Sequence, residues 1–279
     1  MDILEQISKN ISNLSKKQKV VAKYILENWK NIPHQSSVEI AKNLEISQSS
    51  VIRTTKTLGF NSFPELQNAL RLIIQRQLSF VDRLEQTEVV NSNIETTLLK
   101  IRQLQEMNLR QTINASNPKH IRQTIEYIVN ARKVYVVGMR SSATLVHYLG
   151  FNLNMMTKKI KQITNDYSLL EDIRSLDKQD LLIAISFPRY TQLTKTAVYL
   201  AKEQQCPIVA ITDCLSSPIA KPADIVLLAA SKSFYFNQSL SAAMALCDIL
   251  LAQLTTDYHQ LYRQGMEELE KDYERLNIF

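Results

Sequence analysis

Four short runs, VYVVG, LLIAIS, PIVAIT and DIVLLA, constrain the second half of this chain more than any other feature. Each is rich in Val and Ile, is bounded by polar or turn residues, and is separated from the next by a helical stretch. Strands that are apolar on both faces and alternate with helices belong to a parallel sheet covered on both sides. The C-terminal part is therefore expected to be an α/β doubly wound parallel-sheet domain.

The first half has a different rhythm. Residues 36–58, SSVEIAKNLEISQSSVIRTTKTL, place two short helical patterns around a tight turn. Ile40, Ala41 and Leu44 recur at helical spacing, Ile46 plugs the turn, and Val51, Thr55 and Leu58 give the second helix an inward stripe. Ser47 is the expected N-cap, its hydroxyl accepting from an otherwise unpaired amide. Gln48, Ser49, Ser50, Arg53 and Lys56 point away from that stripe. A helix that opens with small polar residues and continues to an arginine carries donors and acceptors where a recognition helix meets base edges. A helical hairpin with a solvated outer face would show the same pattern.

Charge favours the nucleic-acid reading. The net charge is +6, and residues 1–80 hold 11 Lys or Arg against 6 Asp or Glu, which leaves only +1 for the remaining 199 residues. Clustered cations displace phosphate counterions, so salt-sensitive DNA binding is expected of this end. Gln48, Ser49, Ser50 and Arg53 are assigned to base edges, and Lys56, Lys16 and Lys17 to phosphates.

Around this core, Ser15 starts a helix whose Val20, Val21, Tyr24, Ile25 and Trp29 line one face, with Pro33 beyond its end. Gly59 suits a left-handed helix terminus, and Ser62 and Pro64 open a further helix. Glu45 sits in the turn where a positive φ is common, which a side chain meets at a cost of about 1 to 2 kcal/mol. An all-α helix-turn-helix domain is expected over residues 1–78, a partly helical linker over 79–105, and the α/β domain over 106–279. From Ile94 to about Ala115 runs an amphipathic pattern with Leu98, Ile101, Leu104, Leu109 and Ile113. A later apolar helix with Ala242, Ala243, Leu246, Ile249, Leu250 and Leu254 serves equally as interface or core.

Other classes are disfavoured. Hydrophobic residues make up 45% of the 279-residue chain, and no uncharged apolar run approaches a membrane span. The opening MDILEQISKN lacks the basic and apolar parts of a secretion signal, so a cytoplasmic protein is expected. Cys206, Cys214 and Cys247 lack metal-ligand or disulfide spacing and read as buried thiols. His34, His120, His147 and His259 are scattered, so neither a metal site nor a nucleophile with its base assembles, and no cofactor is expected. Glu171 and Asp172 fall at a helix end where exposure is expected.

In open α/β sheets ligands bind beyond the carboxyl ends of the strands. Two such loops carry hydroxyls: VYVVG runs into Met139, Arg140, Ser141 and Ser142, and LLIAIS into Ser186, Phe187, Pro188, Arg189, Tyr190 and Thr191. Hydroxyls and amides at helix N-termini suit an anion. Each serine alone would serve as a simple cap.

Across these segments the chain resembles the RpiR-type bacterial transcription regulators. LSKKQKVVAKYILEN, SSVEIAKNLEISQSSVIRTTKTLGF and PELQNAL resemble their helix-turn-helix domain. VYVVGMRSSATLVHYL, DLLIAISFPRYTQLT, ITDCLSSPIAKPADIVL and FNQSLSAAMALCDIL resemble their sugar isomerase (SIS) domain, a Rossmann-like fold. The resemblance implies a homodimeric or homotetrameric regulator of operator DNA whose SIS domain senses a phosphosugar or related anion. Two loops depart from the family. Arg140 stands where the second glycine of Gly-x-Gly-x-Ser is usual, while Gly138 and Ser142 fit. Pro188 and Arg189 replace the central Ser-Gly of Ser-x-Ser-Gly-x-Thr, while Ser186 and Thr191 remain. Pro188 has no amide to donate, but two guanidinium groups supply charge-assisted contacts instead. Arg140, Ser141, Ser142, Ser186, Arg189, Tyr190 and Thr191 are thus expected to bind an anionic effector. Alternatively the arginines pair with Asp213 or another carboxylate, or bridge two subunits. Two further readings stand beside the sensor: the altered loops suit a SIS domain kept as a ligand-free dimerisation scaffold, and, less in keeping with loops that offer no general base, the resemblance also allows a sugar-phosphate isomerase.

Overall fold

A computed structural model of the chain describes residues 3–77, 80–86, 93–165 and 169–278. Two compact units divide it, Met1–Ser79 and Phe80–Phe279. The linker expected over residues 79–105 includes Ser79 and residues 87–92, which lie outside the described residues.

The first unit comprises α1 (Ile3–Asn10), α2 (Lys16–Glu27), α3 (Ser37–Asn43), α4 (Gln48–Thr57) and α5 (Phe63–Gln77). Ile7, Val21, Ile25, Ile40, Val51, Leu58, Leu66 and Leu70 form its buried centre. Two capping boxes fix the starts of α2 and α3. Gln18 N donates to Ser15 Oγ (3.4 Å) while Ser15 N donates to Gln18 Oε1 (3.0 Å). Ser36 and Glu39 exchange the same pair of bonds, and the Ser36 amide draws the Glu39 carboxyl below its usual range. Val20 departs from its expected place: it is 48% exposed, and Val21, Ala22 and Ile25 supply the inward face. Glu45 (φ 53°) and Gly59 (φ 97°) are both left-handed, so the α3–α4 turn holds a side chain where glycine is the unstrained choice.

The second unit opens with α6 (Phe80–Gln86), α7 (Ile94–Ala115) and α8 (Pro118–Asn130). Then follow β1 (Val134–Val137), α9 (Ser142–Thr157), β2 (Ile160–Ile163), α10 (Leu169–Arg174), β3 (Leu181–Ile185) and α11 (Gln192–Glu203). The unit closes with β4 (Ile208–Thr212), β5 (Ile225–Leu228) and α12 (Ser241–Leu276). The strands form one parallel sheet in the order β2-β1-β3-β4-β5. Its two faces feed separate cores. Val134, Val136, Ile183, Ile185, Val209 and Ile211 pack against α8, α9 and α12, and Tyr135, Val137, Leu182, Ala184, Ile208 and Ala210 pack against α10 and α11. Strand order reverses at β1, so the carboxyl ends of β1 and β3 are the switch point where such sheets open a crevice.

Three expectations change and one open choice is narrowed. The β2 segment IKQI was not anticipated, because an edge strand with Lys161 and Gln162 lacks a continuous apolar run. Helix α7 fully buries Asn108 and Thr112, while of the apolar stripe Ile101, Leu104 and Leu109 are half-buried and Ile94, Leu98 and Ile113 more than half exposed. On α12, where core and interface were both open, Ala242, Ala243, Leu246, Leu250 and Leu254 are buried within the unit and Ile249 is half-buried, which favours the core. Asp172 is buried and bonded to Lys161, while Glu171 is exposed.

Candidate functional site

On the first unit, α4 presents Gln48, Ser49, Arg53 and Lys56 to solvent, with Ser50 half-buried. Their positions follow from the opposite face, where Val51, Thr54, Thr55 and Leu58 are buried. Ser47 occupies the N-cap, but its hydroxyl bonds the hydroxyls of Ser49 (2.9 Å) and Ser50 (2.8 Å), not a backbone amide as expected. Gln48 Nε2 donates to Ser37 Oγ at 3.0 Å, which ties the start of α4 to α3. Arg53 Nη2 reaches back to Ser49 Oγ at 3.5 Å. Gln18 Nε2 donates to Thr57 Oγ1 at 3.0 Å and brings the first turn of α2, with exposed Lys16 and Lys17, beside the end of α4. Two lysines in a first turn that holds no acid oppose the helix dipole. Cations there and the unpaired amides both suit a phosphate.

On the second unit, a cavity of 460 Å³ opens at the switch point. Arg140, Ser141, Ser142, Ser186, Arg189, Tyr190 and Thr191 all line it. Gly138 makes the approach possible, since a Cβ there would lie 2.9 Å from both Ile185 O and Val146 Cγ2. The β1 end, the β3 end and α9 can thus close together only around glycine. Ser142 and Ser186 are buried, whereas the Arg140 and Arg189 side chains are exposed at the mouth. Both arginines adopt left-handed backbone, at φ 58° and φ 67°. Such conformations cost about 1 to 2 kcal/mol for a residue with a side chain and collect at functional sites. Both positions thus hold a backbone shape that glycine adopts without strain while carrying a guanidinium group. Ser141 and Thr191 occupy the N-cap positions of α9 and α11, although neither side chain bonds a backbone amide there, so two helix N-termini face the cavity.

Tyr190 serves the wall more than the cavity. Its hydroxyl donates to Asp213 Oδ1 at 2.7 Å, and burial, then the Asp213 charge, holds that hydroxyl above its usual range. Thr191 Oγ1 lies 2.8 Å from Thr194 Oγ1. His147, the histidine nearest these loops in sequence, is exposed and places Nδ1 2.8 Å from Gln162 Oε1. Of the three thiols, Cys206 and Cys247 are buried and Cys214 is only half-buried.

Five lining residues escaped the sequence reading: Arg83 from α6, Gln192 and Leu193 from the start of α11, and Asn237 and Gln238 from the segment between β5 and α12. That segment is tied down by polar residues of α7. Asn108 Nδ2 donates to Lys232 O (2.7 Å), Ala230 N donates to Thr112 Oγ1 (2.9 Å), and Ser239 Oγ donates to Gln105 Oε1 (3.0 Å). The buried polar positions of α7 were the available signal. Arg83 left none.

Comparison with known proteins assigns both units. Residues 1–77 match the helix-turn-helix domain of the rpiR family, and residues 127–254 match the SIS domain. An uncharacterized HTH-type transcriptional regulator of Haemophilus influenzae is 25% identical over 232 residues, covering 83% of this chain and 81% of the relative. The crystal structure of an RpiR transcription factor from Sphaerobacter thermophilus (sugar isomerase domain) is 30% identical, with a TM-score of 0.61, over 62% of this chain and 98% of that one. The Vibrio vulnificus NanR protein complexed with ManNAc-6P shares the fold with a TM-score of 0.60 at 21% identity, over 98% of this chain and 99% of that one. A helix-turn-helix unit ahead of a SIS domain defines a transcription regulator. This chain belongs to the RpiR-type family of such regulators.

Proposed function

We propose that the chain binds operator DNA through α4 and that an anionic phosphosugar or related metabolite, held in the switch-point cavity, modulates that binding. The observation that carries this reading is the convergence of Arg140 and Arg189, both in strained backbone, on one cavity with Ser141, Ser142, Ser186 and Thr191. Guanidinium groups, hydroxyls and two helix N-termini together favour a phosphate over a neutral sugar. The NanR complex with ManNAc-6P supports a sugar phosphate as the class. Gln48, Ser49, Ser50 and Arg53 read base edges, and Lys16, Lys17 and Lys56 hold phosphates.

The cavity is a sensor and not a catalytic centre. Isomerisation of a sugar phosphate needs a positioned base, and the described lining includes no Asp, Glu or His. A two-fold operator calls for a dimer or dimer of dimers, and the exposed Ile94, Leu98 and Leu99 of α7 suit a second copy. No described helix is long and apolar enough to cross a membrane, in keeping with a regulator that works beside DNA in the cytoplasm. Titration of the chain with sugar phosphates, followed by thermal shift, tests the reading, because a ligand of the folded form raises apparent stability with saturation. Arg189→Ala should abolish the response. Equal responses in both proteins would refute the site, and silence across sugar phosphates and sugar acids would favour a ligand-free scaffold.

A further inference from the structure

Arg83 lies outside both family loops, on the helix that begins at Phe80, the first residue after the DNA-binding unit. Its side chain nevertheless lines the same cavity as Arg140 and Arg189. Gln238 helps hold it there. With its amide nitrogen donating to Ser231 Oγ (3.2 Å) and Ser231 O (3.0 Å), Gln238 turns its oxygen to accept from the Arg83 guanidinium. Burial, and then the charge of Arg189, press the Arg83 guanidinium below its usual range. Two like charges, Arg83 partly buried and Arg189 exposed at the mouth, thus line one cavity. An anion between them offsets that repulsion and gives each guanidinium a further charge-assisted contact, one that Arg83 can make only while α6 is seated.

We propose that Arg83 is a third effector-binding arginine, and that an anion held between Arg83 and the Arg140 and Arg189 loops fastens α6 to the SIS domain. The inference rests on reading the cavity as an anion site. Its consequence is a mechanical one. The effector binds the seated form of α6 better than the released form, and only such a difference in affinity lets a ligand shift a conformational equilibrium. Because α6 follows directly on the DNA-binding unit in the chain, its seating is a direct route by which occupancy reaches α4.

The test uses the full chain, with inorganic phosphate and ManNAc-6P as probes, in wild type, Arg83→Gln, Arg83→Lys and Arg189→Ala. Affinity is read by thermal shift, and seating by hydrogen exchange of the α6 amides. A charge-assisted bond of this kind corresponds to roughly tenfold or more in affinity, so Arg83→Gln should weaken probe binding by that factor while Arg83→Lys keeps part of it. Wild-type α6 amides should gain protection with probe. In Arg83→Gln, which removes the repulsion but keeps a polar side chain beside Gln238, they should be equally protected with and without it. Probe binding that is lost in Arg189→Ala but unchanged in Arg83→Gln would overturn this inference and leave the cavity reading intact. Weakened binding with no change in α6 exchange would overturn it as well. If neither probe stabilised wild type, both readings would fall.

Discussion

Arg140 and Arg189 are backbone twins. Each follows the carboxyl end of one of two neighbouring parallel strands, β1 and β3, each holds a left-handed conformation, and each lines the same cavity. A glycine at either position would adopt that backbone without strain, so the side chain itself must offset the cost, and its charge is the property that a cavity of serines and helix ends can use.

Arg140→Gly and Arg189→Gly should therefore separate stability from binding. Relief of left-handed strain is worth about 1 to 2 kcal/mol, and the added freedom of the unfolded chain takes back about 0.4 to 1 kcal/mol. Each variant should melt at or slightly above the wild-type temperature while losing its response to sugar phosphates. A clear drop in melting temperature would show that the arginines serve packing.

Gly138→Ala should do the opposite. Its Cβ would press on Ile185 O and Val146 Cγ2 at 2.9 Å, neither of which can move without disturbing the sheet or α9. Overpacking of this kind costs about 1 to 3 kcal/mol, to be read by denaturant unfolding.

At the DNA, Arg53→Ala should cost about 1 to 3 kcal/mol in operator binding and relax sequence preference. Lys16→Ala and Lys56→Ala should weaken specific and non-specific DNA alike, and lower the salt slope by about 1 each. Mobility-shift titrations across ionic strength separate the two behaviours. A uniform loss for Arg53→Ala would move it from base to phosphate.

The thiols give a pH prediction. Burial lifts Cys206 and Cys247 from the ordinary 9.0 to about 12, so both stay protonated in the folded protein long after an unfolded chain has released its thiol protons. Their contribution to stability is complete below the unfolded value and is lost as pH rises from there toward about 12. Half-buried Cys214 should label first with a thiol reagent near neutral pH, and the other two only on unfolding. Three equal rates would contradict this.

How far the fold and sites were legible follows from how local each signal is. β1, β3 and β4, and the inward positions of β5, are buried and read as apolar runs, and α4 shows its inward and outward faces at helical spacing. β2 is an edge strand whose Lys161 and Gln162 face other partners, so no period-two or apolar pattern marks it. α7 misled because its Asn108 and Thr112 turn inward to bond the segment after β5, a pairing more than a hundred residues distant in the chain. The cavity loops were legible since hydroxyls and arginines follow recognisable strands. Arg83, Asn237 and Gln238 reach the same cavity only through tertiary packing.

The account stands on the claim that an anion in the switch-point cavity alters the grip on DNA. Measurement of operator affinity with and without a stabilising sugar phosphate, in wild type and Arg189→Ala, tests it most directly. The ligand should change the affinity of wild type and leave that of Arg189→Ala unchanged; an equal change in both proteins would contradict the claim.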